Sequence, residues 1–398
     1  MNRYFSKLIL GKFLHIFLYF ACFPLLTGCW DRKEINDLAI VLTTAIDKTE
    51  DKMTEVSVQV LLPQAVGGGL QGGGDSKKRL TIVRSATGQN FVDAMSKIQG
   101  KVPRRLFWGQ CSAYIFGEQI AKGGLHNEID PLIRHPEPRN RAYLFVSEGK
   151  AVDLLSVQTS LEGYLGKVLR KLSEEQIGVN VTLKDFQQMI TGEAGGAVLP
   201  YIKTAPFKNE ESVGSLLGTA IFKRDRMVGE INEKVTRGVL WLRNEVEAKS
   251  VTVKFPDGDE SISMNPVLIH TVLIPKIENE KWKIKVRIEA EGKIVQNATH
   301  LDIMNPDVNK IIQKKFSKVI KNRINQALDQ VQKRMKTDVF RFAETFERKY
   351  PGKWDHVKDR WDEIFPRVEV SFDLKTYVRG LGLTTRSAGL PEREVRKK

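Results

Sequence analysis

Cysteine is scarce in this chain, which has three cysteines among its 398 residues. Cys22 and Cys29 belong to an apolar amino-terminal segment described below, so Cys111 is the one thiol of the remaining chain. An intramolecular disulfide is thereby excluded, and the fold must be stable without one. Cys111 lies in the apolar, strand-like run 106–116, where a free cysteine usually behaves as a small buried hydrophobe. The alternative is a reactive thiol.

The common patterns of catalytic and metal-binding sites are also missing. The sequence has no His-Glu-x-x-His motif and no Cys/His set at zinc spacing, and these histidines stand far apart: His126, His135, His270, His300 and His356. The nearest approach to a Gly-x-Ser-x-Gly motif, at 213–218, lacks the first glycine. The glycines of 67–69 and 72–74 do not have phosphate-loop spacing, so we interpret them as a flexible connector.

Adjacent carboxylates such as Glu174-Glu175 and Glu210-Glu211 fall in polar stretches, and we interpret them as solvated surface. Two carboxylates that are distant in the sequence can still meet in the fold. From these absences we expect no catalytic site, no bound metal and no cofactor, and the chain is predicted not to be an enzyme.

A long apolar run occurs only once, at the amino terminus. Arg3, Lys7 and Lys12 form a positive region, and an apolar segment follows over 13–24. The sequence Leu-Thr-Gly-Cys then occupies 26–29, which is the pattern of a bacterial lipobox. We therefore predict a signal peptide over 1–28, cleavage before Cys29, and attachment of a diacylglycerol to the Cys29 thiol.

The alternative for this segment is an uncleaved transmembrane helix. The apolar run falls short of the ~20 residues that a bilayer requires. It also contains His15 and ends at Pro24. No later window approaches a spanning length, so we expect a body outside the bilayer on a lipid tether.

Acidic residues are too few to balance the basic ones, and the formal net charge is +15. Residues 308–350 alone contain twelve Lys or Arg against four Asp or Glu. An exported protein does not meet nucleic acid, and the segment lacks the interleaved aromatic residues of a strand-binding groove. Anionic headgroups are the better partner for 308–350, since a basic residue near them contributes about 1 kcal/mol. The alternative is a solvated helix face with no specific role.

After removal of 1–28, the chain is too long for one hydrophobic core, and we predict an α+β protein of three mixed domains. The predicted divisions are 29–150, 151–248 and 249–378, followed by a disordered basic tail over 379–398. In the first domain we expect a hairpin of strands 38–47 and 55–62, strands at 79–85, 106–116 and 141–146, and helices around 91–98 and 118–121. In the second we expect helices over 151–173 and 182–191 and a hairpin over 216–231 that turns at 224–226.

The last third shows the clearest periodicity. Apolar and polar residues alternate over 282–290 and again over 368–374, which predicts two strands with one solvated face. Between them, apolar residues recur three and four apart from 311 to 335, after Asn305-Pro306. This pattern predicts a long amphipathic helix that covers an antiparallel sheet, with a second helix carrying Trp354, Trp361 and Phe365. A coiled-coil partner is the alternative, but steady heptads are missing.

The sequence GCWDRKEIND at 28–37 resembles the start of the Ger(x)C family, the lipoprotein C subunits of nutrient germinant receptors in spore-forming bacteria. Later stretches agree with the same family: LFWG at 106–109 with IAKGGL at 120–125, LIRHPEPR at 132–139 with AYLFV at 142–146, and GTAIFKRDRMVG at 218–229 with RGVLWL at 237–242. The resemblance spans nearly the whole chain after the leader. Gln110 departs from it, because histidine is expected more often at that position.

The resemblance implies a three-domain α/β body that Cys29 anchors to the outer face of the spore inner membrane. It also implies assembly with two polytopic membrane subunits and a requirement in nutrient-triggered germination. The family pattern provides no catalytic or ligand-binding residue to carry over, so Cys29 is the one predicted site residue. Two other functions stay open: an extracytoplasmic solute-binding lipoprotein that captures the nutrient itself, and a cell-wall hydrolase.

Overall fold

The computed structural model describes residues 37–62, 80–156, 163–175, 178–206, 212–247, 250–255 and 260–380. The predicted signal peptide and Cys29 lie outside these residues. So do the glycine-rich segment 67–74, the pair Glu210-Glu211 and nearly all of the predicted tail.

The first sheet contains nine strands, in the order β3-β2-β1-β5-β6-β7-β8-β9, with β4 beside the start of β1. Their bounds are β1 Leu38–Lys48, β2 Thr54–Leu61, β3 Thr81–Gly88, β4 Arg105–Phe107, β5 Ala113–Gly117, β6 Tyr143–Ser147, β7 Gly196–Pro206, β8 Ser212–Lys223 and β9 Arg226–Asn232. The pairs β1–β4, β1–β5, β5–β6 and β6–β7 are parallel. The other pairs are antiparallel. The predicted β1–β2 and β8–β9 hairpins are confirmed.

Seven helices accompany this sheet in the described chain: α1 Phe91–Gln99, α2 Glu118–Gly123, α3 His126–Arg134, α4 Val152–Leu155, α5 Leu165–Glu174, α6 Leu183–Thr191 and α7 Glu233–Arg243. Side chains begin several of them. Asn90 Oδ1 accepts a hydrogen bond from Asp93 N at the start of α1, and Thr182 and Asp185 form a reciprocal capping box at α6. The predicted helices α1, α2 and α6 are confirmed. The single helix predicted over 151–173 is wrong, because α4 ends at Leu155 and α5 begins at Leu165.

The predicted strand over 106–116 is interrupted, and this part of the prediction is wrong. Phe107 pairs with Ile40, whereas Ala113 pairs with Thr43. The segment between Phe107 and Ala113 therefore has extra residues compared with the stretch of β1 that it faces. These residues form a turn in which Cys111 N donates to Trp108 O. Trp108 and Cys111 in this turn are buried like the strands on either side, whereas Gln110 is exposed.

The β6–β7 pair joins the segments predicted as the first and second domains into one sheet. Val146 is in register with Tyr201, and Ser147 with Ile202. The hydrogen-bonded sheet is therefore continuous across the predicted boundary near residue 150. The boundary stays a prediction about which segments fold as separate domains.

The second sheet has four strands in the order β10-β11-β12-β13, namely Val251–Lys254, Ser261–Glu278, Lys281–Asn297 and Glu369–Gly380. With this sheet and its helices, the predicted α+β class is confirmed. The prediction of an antiparallel sheet holds for β10 to β12 and is wrong for β13, which pairs parallel with β12. Alternation reveals which face of a strand is buried, but it does not reveal the direction of its neighbour.

The predicted long helix is α8, Pro306–Ala327, and it continues as a π-helical segment over Leu328–Arg334. Asn305 Oδ1 accepts hydrogen bonds from Asp307 N and Val308 N at its start. The face of α8 toward the sheet is buried and consists of Val308, Ile312, Phe316, Ile320, Ile324 and Ala327. Ile311, which the periodicity also places on this face, is 49% exposed.

The second helix predicted near Trp354, Trp361 and Phe365 is wrong as a single element. After α9, Phe342–Lys349, the chain forms α10, Pro351–Asp355, then α11, Trp361–Ile364, with 3₁₀ turns at Lys358–Arg360 and Phe365–Arg367. All three aromatic side chains are buried, and they join ring contacts with Trp282, Phe340, Phe342 and Phe346. The bulky rings, rather than regular helix geometry, determine the path of this segment.

Candidate functional site: a cleft between the two sheets

A cleft of about 940 Å³ lies where the second sheet meets the helices of the first. Helix α6 and the end of α7 form one wall, β11 forms the opposite wall, and α9 closes it. The elements come from four separate parts of the chain. The cleft therefore exists only when both sheets are folded and joined.

Arg243 connects the walls of the cleft from the last turn of α7. Its side chain is 3% exposed. Arg243 Nε donates to Glu245 Oε2 at 2.8 Å, and Nη1 donates to the carbonyl oxygen of Val339 at 2.8 Å. Nη2 lies 3.7 Å from Met189 Sδ on α6. The planar guanidinium thus links α6, α7 and the loop before α9 with one side chain.

Asn244 ends α7 and attaches it to the second sheet. It adopts the left-handed conformation, with φ of 56°, which is the usual helix-ending geometry. Asn244 Oδ1 accepts a hydrogen bond from Thr271 N on β11 at 2.8 Å. The neighbouring Thr271 Oγ1 is buried and has no hydrogen-bond partner within the described residues.

Glu344 on α9 presents a second unsatisfied polar atom, because its Oε2 is buried without a partner among the residues described. Burial raises the pKa of the Glu344 carboxyl above its ordinary value, with backbone hydrogen bonding and Arg341 acting in the opposite direction. Arg341 and Arg348 are exposed at the same cleft. The cleft therefore offers a carboxyl group, a hydroxyl group and two guanidinium groups that can hold a polar ligand.

Asp338 lies under the cleft and is fully buried. Its carboxyl oxygens accept hydrogen bonds from the backbone N–H groups of Phe340, Phe342 and Ala343 and from Trp361 Nε1, the last at 3.0 Å. Burial raises the pKa of Asp338 to about 7, although the N–H donors act to lower it. Because its oxygens are occupied by the fold, Asp338 orders the loop before α9 and is not available to a substrate.

Within the described ranges, no three metal-binding side chains lie together. The cleft has the size of many small-molecule sites, and its lining is rich in charged groups. The unsatisfied polar atoms and the guanidinium groups of the cleft are suited to holding a polar ligand.

The residues singled out in the sequence lie elsewhere. Cys111 is fully buried, as expected of a small hydrophobe, and burial raises the pKa of its thiol to about 11. Glu174 and Glu175 are exposed. The basic residues of 308–350 are dispersed. On α8 the exposed lysines are Lys310, Lys314, Lys318 and Lys321, whereas Lys315 lies over the Phe255 ring and Arg341 points toward the cleft.

Sequence reasoning missed the cleft residues. Arg243 contacts residues far from it in the chain, and its own neighbourhood is an ordinary helix end. The local signals were Asn244 after a helical pattern and a basic residue in the last turn. Both indicate where α7 ends, and neither indicates what it contacts.

The comparisons with known proteins agree with the motifs. Residues 31–204 match the family described as the spore germination protein N-terminal domain, and residues 217–382 match the family described as spore germination B3/GerAC-like, C-terminal. YfkR of Bacillus subtilis is 30% identical over 350 residues, which cover 87% of this chain and 91% of that protein. This chain belongs to the GerAC family of spore germination proteins.

Other members extend the likeness of this GerAC-family chain. Spore germination protein KC of Bacillus subtilis is 29% identical over 381 residues, covering 90% of this chain and 93% of that protein. Spore germination protein B3 of the same organism is 23% identical over 383 residues, covering 90% and 95%.

The crystal structure of the GerBC protein matches with a TM-score of 0.50 at 20% identity, covering 84% of this chain and 96% of that chain. This match supports the α+β fold. No helix in the described part of the chain is both long enough and apolar enough to cross a membrane.

Proposed function

We propose that this chain is the lipid-anchored C subunit of a nutrient germinant receptor and is required for nutrient-triggered germination of spores. The observation that carries the proposal is the match to both GerAC-family domains over nearly the whole chain after the leader. The lipobox at 26–29 supports attachment through Cys29 to the outer face of the spore inner membrane. The proposed partners are two polytopic membrane subunits of the same receptor.

The subunit acts through protein contacts and is not an enzyme in this proposal. Support comes from the buried carboxyl groups: Asp338 is enclosed by four N–H donors, and Asp47 accepts from Ala151 N and Val152 N at 2.7 and 2.9 Å. Such groups stabilise loops. The three-domain division at 150 and 248 remains a prediction within this proposal. Membrane contact by 308–350 is a separate prediction, which the proposal does not require.

Deletion of the gene in a spore-former that has no redundant receptor tests the function. We expect loss of nutrient-triggered germination, with germination by a trigger that bypasses receptors unchanged, and restoration by the wild-type gene. Normal nutrient response in the deletion strain would overturn the proposal. Crosslinking of intact spore membranes, capture of this chain and mass spectrometry should recover two polytopic membrane proteins.

Direct capture of a nutrient is the second candidate, because the cleft holds two buried polar atoms without partners in the described part of the chain, Thr271 Oγ1 and Glu344 Oε2. Calorimetric titration of the purified chain with amino acids and sugars tests it. Heat that is lost in a Glu344→Gln variant and kept in a Lys318→Gln variant would support capture in the cleft. The absence of heat at millimolar ligand would remove this candidate and leave the first intact.

A further inference from the structure

Arg105 lies where the chain enters the first sheet, and four further arginines stand beside it in the sequence or flank Glu137, which it contacts. Leu38 at the start of β1 is in register with Arg105 at the start of β4. The loop before β6 reaches the same place, because Arg105 Nη2 donates to Glu137 Oε1 at 2.6 Å. We call these arginines the basic rim: Arg104, Arg105, Arg134, Arg139 and Arg141.

Carboxylates neutralise only part of the rim. Arg105 is paired with Glu137, and Arg134 with Asp130. The other three arginines have no carboxylate partner among the described residues, and Arg139 and Arg141 are exposed. Arg104 Nη1 is buried and finds no acceptor in the described chain. The exposed positive charge of the rim that has no carboxylate partner among the described residues is thus that of Arg139 and Arg141.

The rim also lies on the side of the first sheet where the chain from Cys29 enters β1. Cys29 precedes Asp37 by eight residues. A fully extended chain spans about 3.5 Å per residue, so Asp37, just before β1, lies within about 28 Å of a lipid on Cys29. The exposed lysines of α8 belong to a helix that packs on α7, β10 and β13, none of which adjoins the start of β1.

We propose that the basic rim, rather than the lysine face of α8, lies against the anionic phospholipid headgroups around the anchor. The inference rests on the proposed lipid attachment at Cys29 and adds an orientation to it. Headgroup phosphates accept hydrogen bonds from guanidinium groups, and each basic residue near an anionic surface strengthens attachment. The short tether keeps the rim at the surface and so fixes which side of the body faces the bilayer.

A pair of fluorescent labels tests the orientation in the lipidated chain. The substitutions Arg139→Cys and Lys318→Cys each remove one positive charge from an exposed site, and Cys111 does not compete because it is buried. The labelled proteins are placed in phosphatidylcholine vesicles with and without phosphatidylglycerol, together with a lipid that quenches at the headgroup. We expect severalfold stronger quenching at 139 than at 318 when phosphatidylglycerol is present. Equal quenching, or stronger quenching at 318, would overturn the proposal.

A second measurement separates the rim from the anchor. The Cys29→Ala chain, produced without residues 1–28 so that it carries neither leader nor lipid, is sedimented with phosphatidylglycerol-containing vesicles in three forms: otherwise unchanged, with Arg139→Glu and Arg141→Glu, and with Lys314→Glu and Lys318→Glu. The two double variants change the net charge equally. We expect the rim variant to bind about thirtyfold more weakly and the α8 variant to bind within about threefold of the unchanged chain.

The reverse order of these affinities, or equal loss in the two variants, would exclude the rim. This measurement does not depend on lipidation. Failure of Cys29 to carry a lipid in cells would therefore overturn the anchor alone, while the sedimentation result would still decide the rim.

Discussion

Asp338 shows how one buried carboxyl group makes stability depend on pH. Burial raises its pKa from 3.8 to about 7. Between those values the folded chain holds a proton that the unfolded chain has released, so this group lowers the free energy of unfolding as pH rises from about 4 to about 7. The slope reaches at most about 1.4 kcal/mol per pH unit.

The Asp338→Asn variant should lack that slope, because an amide does not titrate in this range. Urea unfolding at several pH values between 5 and 8 measures the difference between wild type and variant. Asp362→Asn is a suitable control, since that carboxylate is 58% exposed in its ion pair with Lys223. Parallel pH profiles for wild type and Asp338→Asn would contradict the raised pKa.

Gly238 lies at the contact of α7 with α8, and a substitution there tests how closely the two helices pack. A Cβ atom at Gly238 would lie 2.2 Å from Arg323 O and 2.8 Å from Ala327 Cβ, so the helices must separate to accept alanine. We expect Gly238→Ala to lower the free energy of unfolding by about 1–3 kcal/mol. Gly352→Ala is the matched control, because nothing lies within 4 Å of a Cβ there. It should be neutral or stabilising by up to about 1 kcal/mol in urea unfolding.

At the scale of the element, the connection made by Arg243 can be broken without removing its charge. Arg243→Lys keeps a cation but cannot donate to Glu245, Val339 and α6 together. We expect a loss of about 2–3 kcal/mol in the free energy of unfolding, since buried acceptors lose their donor. Arg348→Lys at the exposed side of the cleft should cost nothing measurable. Equal stabilities of the two variants would show that the Arg243 contacts are not needed.

Local pattern predicted the elements whose determinants are local. Alternation identified β12 and β13, and three-and-four spacing identified α8, because one face of each is buried. Local pattern failed to predict the structure where contacts between distant residues determine it. The turn around Cys111 carries buried Trp108 and Cys111, which resemble strand residues, and the segment after Pro351 follows its aromatic side chains rather than a helix axis.

The candidate cleft could not be predicted from the sequence for the same reason. Its chemistry depends on Arg243, Thr271 and Glu344 meeting from separate elements. None of the three stands in a motif, and an arginine at a helix end is common. The predicted site residue, Cys29, follows from a linear signal that a peptidase reads before folding, so the sequence alone was sufficient to propose it.

For the whole molecule, the lipid proposed on Cys29 is the feature that would set its location. Cys29→Ala should prevent lipid attachment and the cleavage that depends on it, because no other residue supplies the acyl acceptor. Two acyl chains hold a protein stably at about 0.8 kcal/mol per buried methylene, so the variant should leave the membrane fraction or be mislocalised. Radiolabelled lipid incorporation and membrane fractionation measure both effects, with Cys111→Ala as the control. Normal labelling of the Cys29 variant would refute the lipobox.

The parallel pairing of β12 with β13 affects the order in which the second sheet forms during folding. Lys283 is in register with Glu369, and all of α8 and the short aromatic helices lie between them in the chain. Contacts between such distant residues form slowly, because a long loop must close first. Until β13 pairs with it, β12 has one edge with unpaired backbone groups, and that edge can pair with another chain. The second sheet is thus completed last, and a chain shortened before residue 369 should aggregate rather than fold into a smaller subunit.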